Sequence, residues 1–322
     1  MYLAPEDFGA TSLNGNFDNA PAFQKMVDYY KRKDPTGKYG CIVQMQPGNY
    51  YFKSPMPTFR AMRFRGAGAN ATGLYPHPDA NWTQPLITIR DQAIWIEDLQ
   101  FEIKSLNWQN GTVPAIDIIN AAQLRMLRCS IVSSATTCIR LRASSTLFFD
   151  WLSVGCNAAF GDGNVSDLIA FDVLENSVVR GGLLSASVSY NANDTQLANG
   201  WTLLRVKSAR YFNVENLSCR ARPNNLIRLS PATNETIRDL FIDNILSDIS
   251  LREGILIEPS GGTIEKAKLS NADIRASGGT AGISVRGTGS FGAITLDNPN
   301  VHGSQGHGIE WKSGFVQINN PT

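Results

Sequence analysis

A two-part motif recurs about eight times between residue 86 and the C-terminus, and it constrains the fold more than any other feature. One half reads apolar-x-apolar, as in Leu86-Ile87-Thr88-Ile89, Ala115-Ile116-Asp117-Ile118, Leu226-Ile227-Arg228-Leu229 and Gly282-Ile283-Ser284-Val285. The other half places a turn residue between two short apolar stretches, as in Val214-Glu215-Asn216-Leu217 and Ile242-Asp243-Asn244-Ile245. Such a unit cannot bury its own apolar face alone, so copies must stack into a solenoid. The turn positions Asp98, Arg128, Trp151, Gly182, Asn216, Asn244, Asn271 and Asn298 lie 23 to 34 residues apart. Runs of four or five residues with period-2 alternation, punctuated by Gly, Asn, Ser and Pro, are strands and not helices. Helical solenoids, leucine-rich repeats and propeller blades each need a pattern that is missing here. A parallel β-helix of eight to nine coils over residues 81–322 fits the spacing.

Asn suits the turn because it accepts the left-handed backbone region more readily than other non-glycine residues. Stacked coils place Asn216, Asn244, Asn271 and Asn298 above one another, where their amides can hydrogen-bond along the stack. That structural role is the expectation for these asparagines.

The formal charge is +1 in 322 residues, which argues against a dedicated nucleic-acid binder. No apolar run reaches the length of a membrane span, and the first residues lack the pattern of a secretory signal. Neither a membrane nor a nucleic acid is therefore expected as a partner. The five cysteines are odd in number and lack metal-ligand spacing, so they read as small buried hydrophobes. No metal or cofactor is expected.

Residues 1–80 differ in kind and form an N-terminal cap plus a first coil. Asp18-Asn19-Ala20-Pro21 signals a helix start, and Ala22, Phe23, Met26, Val27 and Tyr30 make an amphipathic stripe over about residues 20–32. A solenoid needs such a lid over the exposed core and strand edges of its first coil. Asp7-Phe8-Gly9-Ala10, Asn16-Phe17-Asp18-Asn19, Ala22-Phe23-Gln24, Val43-x-x-x-Pro47-Gly48-x-Tyr50 and Phe64-x-Gly66-x-Gly68 resemble the N-terminal signature of pectate-lyase-like right-handed β-helix proteins. Phage tailspikes and tail-fibre depolymerases often carry this signature. The resemblance implies an all-β, right-handed, single-stranded parallel β-helix with an N-terminal capping α-helix. It also implies side-by-side homotrimers in a virion, in contact with other virion proteins and a host surface glycan. Its residues build a lid and not a site, so function has to come from elsewhere in the chain.

Alternation predicts two outward ladders on the first half-motif. One runs Thr88, Asp117, Arg140, Ala170, Thr202, Arg228, Leu256, Ser284, Glu310; the next includes Arg142, Asp172, Leu204, Ser230, Glu258, Arg286 and Lys312. Asp117–Arg140, Arg142–Asp172 and Glu258–Arg286 then read as cross-strand pairs of ordinary strength. An anionic polymer could use Arg140, Arg142 and Arg228. Beside the turn, Glu215 and Asp243 lie one coil apart, a separation that suits two glycosidase carboxyl groups, so they are the candidate catalytic pair. Trp82 and Trp108, in polar loops, are candidate sugar-stacking residues; Trp95, Phe148 and Phe241 point outward from strands and suit a subunit interface or a sugar. Gly306-His307-Gly308 resembles a polygalacturonase motif, but the same position in other repeats is simply the start of a strand.

The leading expectation is a virion-associated, tailspike-like protein that binds host surface polysaccharide, with its cleavage as an open question. The alternative is a non-enzymatic structural virion protein of the same fold. A free polysaccharide lyase or glycoside hydrolase ranks third.

Overall fold

The computed structural model describes residues 1–80, 82–103, 113–133, 137–156, 169–186, 201–220, 223–248, 250–275, 279 and 281–321. The repeats form an all-β, right-handed parallel β-helix closed at its N-terminal end by one α-helix. Every pairing between named strands is parallel, so each coil adds its strands in register to the coil before. One half of the motif builds a nine-stranded sheet from Ile87–Arg90 to His307–Trp311. The other half builds a 19-stranded sheet that wraps the remaining sides of the coil.

The core follows from this register. On the nine-stranded sheet Ile89, Ile118, Leu141, Val173, Val206, Leu229, Ile257 and Val285 occupy one inward column, each the register partner of the next. All eight are buried. Each fully buried aliphatic side chain contributes about 1.5–3 kcal/mol, which is what holds a coil with few internal contacts of its own.

The corners are where the chain turns between strands. Asp98, Arg128, Asn244, Asn271 and Asn298 all have positive φ, between 48° and 58°. The amide ladder exists as well: Asn244 Nδ2 donates to Asn216 Oδ1 at 3.2 Å, and Asn298 Nδ2 donates to Asn271 Oδ1 at 2.9 Å. Trp151, Gly182 and Asn216 are not turns, which corrects the expected periodic corner. In their coils the two strands fuse into Thr146–Cys156, Ser177–Ala186 and Ala209–Cys219. Gly181 makes the fusion fit, because a Cβ there would lie 2.0 Å from the Phe149 ring.

The cap is the helix Ala20–Lys33, one residue longer than the sequence suggests. Asp18 Oδ1 accepts from the Ala20 N–H at 3.1 Å and from the Lys53 N–H at 2.9 Å, so one carboxylate ties the helix start to the first coil. Phe23 meets the rings of Tyr50 and Phe52 edge-on at 6.1 and 5.1 Å. Strands from Cys41–Gln44 to Thr72–Pro76 already belong to the large sheet, whereas the nine-stranded sheet begins only at Ile87. Cys41, Cys129, Cys138 and Cys219 are buried, as small hydrophobes would be.

Candidate functional site

The outward ladder of the nine-stranded sheet differs from the expected one by two residues in the middle coils. Arg140 pairs in register with Asp172, and Asp172 with Arg205. Ala170, Thr202 and Leu204 are buried instead of outward. The column therefore reads Asp117, Arg140, Asp172, Arg205, Arg228, Leu256, Ser284, Glu310.

Its first half is internally neutralised. Buried Asp117 receives Arg140 Nε at 3.3 Å and Arg142 Nη2 at 2.7 Å. The bond to Asp117 raises the Arg142 guanidinium pKa further. Asp172 is gripped by Arg205 at 2.9 and 2.7 Å in a planar fork, the strongest form of such a contact. Asp117–Arg140 is thus confirmed as a pair, but Arg142 joins Asp117 and not Asp172. Arg140 and Arg142 hold a buried carboxylate, which spends much of their donor capacity on the fold.

The second half is different. Arg228 Nε meets Glu258 Oε1 at 2.6 Å. Arg286 stands 3.5 Å from Glu253 Oε1 and 4.0 Å from Glu258 Oε2, longer than a charge-assisted hydrogen bond. Lys312 Nζ lies 2.8 Å from Glu310 Oε1, and that hydrogen bond, against the opposing effect of burial, holds the Glu310 carboxyl below the usual range. Ser284 Oγ also donates to Glu310, at 3.3 Å. Two adjoining hollows open over these residues, of about 740 and 780 Å³, and they share Arg228, Glu258 and Arg286. The first adds Arg252, Glu253, His307 and Glu310; the second adds Arg205, Lys207 and Lys312. Together they form one polar groove along the outer face of coils five to nine of this sheet. Asn225 anchors its wall by donating to the Glu253 backbone oxygen at 2.5 Å. Among the described residues no cluster of three or more His, Cys, Asp or Glu is placed to hold a metal ion.

Of the sequence candidates, Arg228 lies in this groove. Glu215 and Asp243 are exposed on the large sheet, Glu215 inside the unbroken strand Ala209–Cys219 and Asp243 beside the Asn244 turn. Asp243 Oδ1 accepts from the Asn244 N–H at 2.9 Å and from Asn271 Nδ2 at 2.7 Å, which makes it part of the turn ladder. Trp82 is 4% exposed, so its ring fills the core and presents no face to a sugar. Trp108 lies outside the described residues. Arg252, Glu253, Glu258, Arg286, Glu310, Lys312 and His307 were missed as a group. Their signal was present in the ladder itself, where cations outnumber carboxylates from Arg205 onward. His307 does start a strand, His307–Trp311, and it also lines the groove.

The outward aromatics of the large sheet form a stack. Arg63, Trp95, Arg125, Phe148 and Arg180 are successive register partners. Arg63 and Arg125 lie 5.1 and 4.7 Å from the Trp95 ring, and Arg180 and Lys266 continue the pattern over Tyr211 and Phe241. Buried Glu97 lies below the same face, held by Arg63 Nε at 2.6 Å and by Arg65. Burial alone would raise its carboxyl, but the two arginines outweigh it and keep it below the usual range.

No protein-family model matches the sequence, and no curated relative matches it. Solved structures do match the fold. The A-module of Azotobacter vinelandii mannuronan C-5 epimerase AlgE4 superposes with a TM-score of 0.62 at 11% identity, covering 100% of this chain and 95% of that one. The AlgE6 A-module gives 0.58 at 12%, covering 99% and 98%. ORF18 of Geobacillus virus E2 gives 0.50 at 14%, covering all of this chain and 60% of that one. The chain is a parallel β-helix protein. At these identities the likeness of one β-helix to another shows the fold, and the groove has to carry the function.

Proposed function

We propose that this β-helix is a virion-associated, tailspike-like protein that binds host surface polysaccharide in the groove on its nine-stranded sheet. The observation that carries the reading is the groove's lining: guanidinium, carboxylate and hydroxyl groups over a floor of buried aliphatics. Carboxylates and arginines in fixed positions are suited to the hydroxyl-rich edge of a sugar, since each can accept or donate two hydrogen bonds. The fold neighbours support the two halves of the reading, two of them being named as mannuronan epimerase modules and one as a virus protein.

Binding without cleavage is the form we favour. Glycoside hydrolysis needs one carboxyl group kept protonated near neutrality. Here Glu310 is driven the other way by Lys312, and Glu258 is engaged by Arg228. The reading includes the side-by-side trimer that the tailspike resemblance implies, which sedimentation tests directly.

The test is affinity electrophoresis of the purified protein through gels containing host surface polysaccharides, with parallel assays for new reducing ends and unsaturated products. Retardation without product release is expected. Failure to bind any of these polysaccharides would overturn the reading and leave a structural virion component. Product release abolished by Glu258→Gln would convert the binding site into a catalytic one.

A further inference from the structure

We propose that the part of the groove between Lys207 and Lys312 is an anion subsite, and that the glycan it takes carries carboxylate, sulfate or phosphate groups. This rests on the groove being a glycan site and adds what kind of glycan it selects. The lining of this hollow includes Arg205, Lys207, Arg228, Arg286 and Lys312, against a single lining carboxylate, Glu258. Two of these cations are at most weakly engaged by the protein. Lys207 has no ion-pair partner among the described residues. Arg286 donates to Glu253 Oε1 at 3.5 Å and meets Glu258 Oε2 at 4.0 Å, long contacts that a ligand's oxyanion could replace.

The neutral part of the lining points the same way. Ser230, Ser260, Thr288 and Ser313 surround the cations with hydroxyl donors. Ser313 Oγ is buried and has no hydrogen-bond partner. A buried hydroxyl left unpaired is destabilising, a cost that a bound oxyanion would remove. The adjoining hollow is evenly balanced, with Glu253, Glu258 and Glu310 beside Arg228, Arg252 and Arg286. A polymer lying along the groove would therefore set successive acidic substituents against Lys207 at one end and against Arg286 and Ser313 at the other, and neutral hydroxyls against the glutamates.

Dextran, carboxymethyl dextran and dextran sulfate share a backbone and differ in charge, so they isolate this selectivity. Their binding to the full-length protein is measured by titration calorimetry between about 50 and about 200 mM salt, the range over which phosphate-like contacts weaken steeply. The charged forms should bind at least about tenfold more tightly than dextran, with affinity falling as salt rises. Lys207→Ala, which breaks no ion pair among the described residues, and Arg286→Ala should each reduce that affinity about three- to tenfold. Arg180→Ala, on the other sheet, should leave it unchanged and controls for diffuse attraction. Equal affinity for dextran and its charged forms would overturn the subsite. So would equal losses from Arg180→Ala and Arg286→Ala. If host polysaccharides still bind in either case, the glycan reading stands without the subsite; if nothing binds, the glycan reading itself has failed.

Discussion

On the large sheet Trp95 carries a guanidinium on each side of its ring, whereas on the nine-stranded sheet Arg286 stands 3.5 and 4.0 Å from its nearest carboxylates. Both side chains point outward from in-register parallel strands, and both meet the coils above and below before they meet solvent. Strands about 4.8 Å apart leave an outward ring no free face when its neighbours in the column are cations. That is why the exposed-looking aromatics of the large sheet are poor sugar platforms. A column that sets cations beside one another with no ring between them, as Arg205 and Arg228 are, cannot close on itself in this way, and its donors remain for a ligand. Column composition, more than exposure, separates a finished surface from a binding one.

The largest expected effect breaks the closed face. Glu97→Ala leaves Arg63 and Arg65 side by side without their carboxylate. Loss of a buried partner costs about 3–5 kcal/mol, and the arginines' exposure of 28% and 35% screens that to about 2–3 kcal/mol. Chemical denaturation should show it. Because the folded Glu97 carboxyl lies below its unfolded value of about 4.3, its contribution is complete above that pH and is lost as pH falls through the folded value. The gap between wild type and variant should be flat from about pH 7 to about pH 5 and shrink below about pH 4. A gap that grew on acidification would contradict the assignment.

Trp95→Ala comes next, at about 1–2 kcal/mol from two cation–π contacts of about 0.5–1 kcal/mol each. Glycan affinity should not change; a loss of binding with stability intact would reopen this face as a sugar site. Arg228→Ala sharpens the other side of the comparison. It removes the 2.6 Å partner of Glu258 inside the groove, and we expect about tenfold weaker binding, equivalent to about 1.4 kcal/mol, with little change in melting temperature. The smallest effect belongs to Glu215→Ala, an exposed strand side chain, at under about 0.5 kcal/mol and with no change in glycan handling. Any cleavage activity lost with Glu215 or Asp243 would move the chemistry to the large sheet.

The repeat made the fold legible because a stacked coil writes the same alternation many times. It failed locally where alternation carried no direction. Ile169, Ala170, Phe171, Asp172 and Val173 are all buried, so nothing in their pattern sets which of them faces outward, and the ladder slipped by two. Counting also assumed a corner in every coil, although Trp151 and Gly182 sit within unbroken strands. Trp82 misled because a loop's polar composition does not reveal whether its one large ring turns inward. The groove stayed hidden for a subtler reason. Opposite charges one coil apart read as a completed pair, and only the distances show that Arg286 is held more loosely, at 3.5 and 4.0 Å, than Arg228 at 2.6 Å.

The fused strands Thr146–Cys156, Ser177–Ala186 and Ala209–Cys219 also have a mechanical meaning. Inter-strand hydrogen bonds of a β-solenoid run along its long axis, so a pull on that axis is shared across each coil's whole pairing length. Ser177–Ala186 is matched to Ala209–Cys219 from Ser177↔Ala209 to Ala186↔Cys219, without the corner that interrupts coils elsewhere. A protein tugged between an anchor and a surface would yield at its cornered ends and keep its waist.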